Sequence, residues 1–172
     1  MTRHVARRRS PIAAAAALFV LLALAAPPAG AVIPGQPVAA DVELVDSCLA
    51  QAAAAKSDAD ACIGRVEAGC AAEAATAAAK RQCSNREFLV WNMALDRDYL
   101  RLTALVADGA ARQALREAER EFAVAKLKRC TFERIARGNS PDALIAASRC
   151  EVQATARQDL WLREQVDLLK SP

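Results

Sequence analysis

From Pro37 to Pro141 the chain has no intervening proline, is rich in alanine and shows no two-residue alternation of apolar and polar side chains. Proline breaks helices and alternation marks half-buried strands, so this interval is predicted to be helical almost throughout. A first short helix is expected at about Val42–Lys56. Ser57-Asp58-Ala59-Asp60 then caps a second, which passes Cys62 and Val66 and stops at Gly69. The run 71–80 fits helix or loop. Ser84 and Glu87 have the spacing of a capping box, so a long helix is expected to open there and to end at Gly109. Its apolar face is Phe88, Trp91, Leu95, Tyr99, Leu102 and Val106. The next helix spans about Ala111–Arg137, with Leu115, Ala118, Phe122 and Ala125 inward and Arg112, Arg116, Arg120 and Glu121 solvated.

Gly138 supplies a helix stop, Ser140 a cap and Pro141 a first helical position. The last helix carries Leu144, Val152, Thr155, Leu162, Val166 and Leu169, and Trp161 is expected to pack against the preceding pair. No single helix of this kind can bury its own apolar stripe. The expected fold is therefore all-α: a small antiparallel bundle of three long helices with a short two-helix N-terminal extension. With aromatics at only 4%, covalent cross-links are expected to supplement a lean core.

Four arginines, Arg3, Arg7, Arg8 and Arg9, precede an apolar run from Ile12 to Ala26 and the small-residue site Ala29-Gly30-Ala31. This is the pattern of a secretory signal peptide. The run is 15 residues, short of the roughly 20 that a membrane-spanning helix needs. Residues 1–31 are thus expected to be cleaved, 32–40 to form an irregular lead-in around Pro34, Gly35 and Pro37, and 41–172 to form the helical domain. The expected location is periplasmic or secreted, with no membrane attachment after cleavage. Cleavage changes the chemistry. The formal charge of +3 gives way to 19 basic residues against 20 acidic, and His4, the only histidine, is lost. Nucleic-acid binding, which needs a cationic surplus, is disfavoured. Imidazole-dependent catalysis and histidine-ligated metals are excluded, and no cofactor is expected.

Cys48, Cys62, Cys70, Cys83, Cys130 and Cys150 all lie beyond the leader. In an oxidising compartment an even set of this size reads as three disulfides, for which sequence alone allows 15 pairings. Cys130 and Cys150 flank the turn Gly138-Asn139-Ser140-Pro141 at distances that let them face each other across an antiparallel helix pair. The same argument favours Cys48 with Cys62 around Ser57, and elimination leaves Cys70 with Cys83. Cys62 with Cys70 is disfavoured, because eight residues along one helix separate them by about 12 Å. No CxxC occurs, so a zinc site is not expected.

The order of Cys70, Cys83, Leu95, Tyr99, Phe122, Cys130, Gly138-Asn139-Ser140, Cys150 and Thr155 resembles the lysozyme inhibitor LprI-like N-terminal domain family of small exported bacterial proteins. The resemblance covers about Cys48 to Leu162, with Cys48 and Cys62 as the extra pair of a longer subgroup. The chain departs from the family pattern at Asp96, where Asn is usual, at Phe122 for Trp, at Lys126-Leu127 for Arg-Asp, and at Asn139 for glycine.

What the resemblance implies is a protein partner, lysozyme, whose two cleft carboxyl groups would be met by a rigid polar protrusion. The turn of Arg137, Gly138, Asn139 and Ser140 is the candidate, with Arg137 able to hold a carboxylate bidentately. In a plainer reading Gly138 caps a helix and Arg137 favours its dipole. The alternative function is an envelope adaptor with no lysozyme contact. An enzyme is not expected: Glu117, Glu119 and Glu121 read as a solvated helix face.

Overall fold

The structure is a computed structural model and describes residues 35–170. The expected leader, residues 1–31, lies outside the described residues. Five α-helices form this part: α1 (Ala39–Ala55), α2 (Arg65–Ala71), α3 (Ala77–Leu105), α4 (Gly109–Ala136) and α5 (Pro141–Lys170), with a 3-10 turn at Ala59–Cys62. No strand occurs among the described residues, and no helix there is long and apolar enough to cross a membrane.

The three long helices form the bundle. Numbering runs in opposite senses along α4 and α5, where Cys130 meets Cys150, Lys126 meets Thr155 and Glu119 meets Gln158. Along α3 and α5 it rises together, so this pair is parallel. Val90 and Trp91 share one apolar cluster with Val152 and Ala156, and Leu102 shares a second with Leu162 and Val166. The N-terminal helices are no appendage: Val45, Cys48 and Leu49 of α1 and Val66 of α2 complete the first cluster around the fully buried Trp91.

Several helix ends differ from those expected, each for a local reason. Asp41 reaches back to the amide of Val38, and α1 starts at Ala39, inside the expected lead-in. The second helix is split, because Gly64 takes φ +93°. Asp58 caps only the 3-10 turn, and α2 then passes straight through Gly69. Cys62 and Cys70 therefore lie in separate elements. Long helix α3 opens seven residues before Ser84, with the Thr76 hydroxyl accepting from the Ala79 amide at 3.1 Å and high-propensity alanines behind it. Gly109 begins α4 rather than ending α3, because Asp108 caps there with a 2.7 Å bond from the Ala111 amide. Ala118 and Ala125 are exposed, as are Trp161 and Leu169.

The Ser84–Glu87 pair is no capping box. Ser84 sits inside α3, bonded to the Lys80 carbonyl. Glu87 is fully buried and accepts from the Gly64 amide, the Glu67 amide and the Trp91 indole N–H. It thus caps α2 from the neighbouring helix, satisfying N-terminal amides that the short α2 cannot satisfy itself. Truncation would orphan three donors at once. Glu87→Ala is expected to lower stability by about 3 kcal/mol or more, read as a fall in the urea midpoint.

The three disulfides join Cys48 to Cys62, Cys70 to Cys83 and Cys130 to Cys150, with Cα atoms 5.8, 5.5 and 5.4 Å apart. All six sulfurs are thereby used, and no thiolate remains for a metal. The third bond has the most to hold. Helix α4 packs chiefly on α5, and of its 28 residues only Leu115 and Cys130 are buried. Replacing Cys130 and Cys150 by alanine is expected to cost about 3 kcal/mol. Amide exchange should accelerate first in α4 and the turn after it, while α3 and α5 stay protected; uniform acceleration would contradict this.

Candidate functional site

The α4–α5 turn is built by its own residues. Helix α4 stops at Ala136, and Gly138 and Asn139 follow with φ +76° and +55°, the left-handed region in which glycine and asparagine are the least strained. The Gly138 and Asn139 amides donate back to Ile135 and Arg134 carbonyls, at 3.0 and 3.2 Å. Arg134 donates to the Asn139 side chain at 2.6 Å, and Ser140 Oγ accepts from the Ala143 amide at 3.1 Å, opening α5. Asn139 thus supplies both the left-handed backbone and a side-chain clasp, the latter beyond the reach of a glycine.

Arg137 points its Nε and one terminal nitrogen at Glu133 Oε2, at 3.1 and 2.9 Å, and stays exposed. The turn is therefore a helix cap with an exposed arginine, and the Cys130–Cys150 bond ties its two helices together farther back. Beside it the structure places two residues that periodicity missed. Phe132 is 67% exposed and Ile135 57%. They are neighbours three positions apart, and Val124 and Leu127 continue the same exposed side of α4, opposite the side that packs on α5. The available signal was an apolar set out of phase with Leu115 and Phe122.

Lys126 ties the three long helices together. Its ammonium donates to the buried hydroxyl of Thr155 on α5 at 3.1 Å and stands 5.1 and 5.3 Å from the ring centroids of Phe88 on α3 and Phe122 on α4. Burial lowers its pKa, and the charges of Glu151, Asp96 and Glu119 oppose that fall. Leu127 beside it is exposed.

A charged layer lies between the two apolar clusters. Asp98 of α3 and Asp159 of α5 are both buried and share Arg163, whose Nε lies 2.8 Å from Asp159 and whose terminal nitrogen lies 2.9 Å from Asp98. Arg101 and Arg97 also reach Asp98, and Arg97 bridges to Asp46 of α1. Burial pushes Asp159 up to about 6 despite Arg163, with the Asp98 charge adding to the rise. Burial would raise Asp98 too, but Arg163 and Arg97 outweigh it and hold its carboxyl below the ordinary range. One proton shared by two adjacent carboxyls is the expected result.

The consequence for stability has a definite sign. Asp159 keeps its proton to about pH 6 when folded and only to about 3.8 when unfolded. Folding therefore takes up a proton between those values, and stability falls as pH rises through that window. Asp98 acts oppositely, losing its contribution as pH drops below its unfolded value. Stability should peak near pH 4 and decline by up to about 3 kcal/mol by about pH 6, changing little above that. Asp159→Asn should flatten the decline in urea midpoints between about pH 4 and 6.5; an unchanged slope would assign it elsewhere.

A family model described as lysozyme inhibitor LprI matches residues 69–162. No curated protein and no solved structure is a match. The matched span contains the Cys70–Cys83 and Cys130–Cys150 bonds, all of α3 and α4, the Arg137–Ser140 turn and α5 as far as Leu162. The Cys48–Cys62 bond and α1 lie outside it.

Proposed function

This chain belongs to the lysozyme inhibitor LprI family, and we propose that it is an exported, non-catalytic protein that binds a lysozyme and blocks its cleft. The leader pattern at residues 1–31 and the three disulfides support export to the periplasm or beyond. The observation that carries the binding reading is the stapled tip of the α4–α5 hairpin, where Arg137, Phe132 and Ile135 stand exposed on a backbone held by left-handed caps and a disulfide. Exposed aromatic and arginine anchors on a rigid support are what protein interfaces use most. Arg137 can exchange its Glu133 contact for a carboxylate in a lysozyme cleft, where two such groups do the chemistry.

A second reading, an envelope adaptor with no lysozyme contact, draws on Lys126-Leu127. There the family's usual Arg-Asp gives way to a lysine turned inward and a bare leucine, so the outer face of α4 differs from that of its relatives. A turbidity assay of peptidoglycan lysis separates the two. The oxidised chain should protect against at least one lysozyme type, and Phe132→Ala with Arg137→Ala should raise the concentration needed about tenfold or more. No protection at molar excess over several lysozyme types would leave only the adaptor.

A further inference from the structure

We propose that a second surface, the cationic groove between α4, α5 and the start of α3, binds a linear anionic polysaccharide. The groove encloses about 810 Å³ and is lined by Lys80 of α3, Arg129 and Arg137 at the α4 end, and Arg149 and Arg157 of α5. Only Glu133 and Asp142 among its lining residues are acidic. Cations thus gather here on a chain that is close to neutral once residues 1–31 are set aside. Like charges across one groove repel. Although Arg137, Arg149 and Arg157 each hold a carboxylate, the fold uses Lys80 and Arg129 in no such pair among the described residues.

The side chains are posed rather than spent. Arg149 gives its Nε to Glu67 and Arg157 gives its Nε to Asp60 at 3.2 Å, which fixes both while their terminal amino groups take no hydrogen bond among the described residues. Lys80 and Arg129 pair with no carboxylate among the described residues. The floor is stiff, because Cys150, bonded to Cys130, lines it. From Asp142 to Arg157 the α5 wall runs about 22 Å at 1.5 Å per residue, which suits an extended chain better than a single small anion.

The lining also chooses among polyanions. It holds no aromatic residue, and Ile145 and Ala146 are its main apolar groups. A protein ligand normally buries aromatic anchors, and the surface of that kind on this molecule is the Phe132–Ile135 tip. A strand recognised through repeated carboxylate, sulfate or phosphate groups needs only arginine forks and ammonium groups in a row. Arg137 borders both surfaces, but the test variants change only Lys80 and Arg129, so failure here and failure of the lysozyme reading are distinguishable.

The test uses the full, disulfide-intact chain titrated at low salt with polygalacturonate, sulfated dextran, uncharged dextran and poly-glutamate. One or both anionic polysaccharides should bind, with affinity falling steeply as salt is added, while uncharged dextran should not. Lys80→Glu with Arg129→Glu, both exposed and expected to leave the circular dichroism unchanged, should weaken binding tenfold or more. Lys80→Gln with Arg129→Gln should lie between the variant and the native chain. Which of the two polysaccharides binds tells carboxylate from sulfate chemistry. Absence of binding to both, equal binding by the charge-reversed variant, or tighter binding of poly-glutamate would overturn the proposal, the last in favour of an acidic protein segment.

Discussion

Helix α4 is held by very little, and that constraint governs the α4–α5 hairpin. A fully buried leucine contributes roughly 2 kcal/mol, and α4 has one, Leu115, near its start. The Cys130–Cys150 bond, at about 3 kcal/mol, and the Lys126 contact with Thr155, Phe88 and Phe122 are its other main attachments. Because these attachments use so little of its surface, α4 can leave Val124, Leu127, Phe132 and Ile135 uncovered without coming loose. A sulfur bond in place of an apolar seam leaves a helix face uncovered.

The rest of the bundle is held by the opposite strategy. Helices α3 and α5 bury most of what they share, yet the middle of their seam is charged. Asp98, Asp159 and Arg163 sit where continuing the apolar stripe would place leucines. Such layers seldom stabilise more than the apolar residues they replace. Their effect is on alignment: sliding α3 along α5 would break the Arg163–Asp98 contact, which joins the two helices, and carry the buried Asp98 carboxylate away from Arg163. The parallel register of the two helices is thus enforced electrostatically between two ordinary apolar clusters.

Features with a purely local mechanism were legible in the sequence. Gly138, Ser140 and Pro141 mark the α4–α5 turn by their own backbone preferences, and the structure places the helix ends there. The all-helical class and the succession of three long helices followed from proline and alanine placement. The family was legible in the cysteine order. Where a residue's role depends on a distant partner, reading failed. Glu87 looks like the end of a capping box and instead caps another helix, 20 and 23 residues back. Gly69 and Gly109 look like stops, but stronger local caps at Asp108 and the left-handed Gly64 set the boundaries. Counting apolar residues alone also hid Asp98 and Asp159, because buried charge carries no periodic signature, and it hid Phe132 and Ile135, which lie off the buried stripe.

The most direct measurement is a footprint. Amide shifts of the isotope-labelled, oxidised chain would be followed as an active lysozyme is added. The account predicts that the perturbed residues centre on Phe132, Ile135 and the Arg137–Ser140 turn, with α1 and α2 unchanged. A footprint centred on the N-terminal helices, or none at concentrations that protect peptidoglycan, would contradict it.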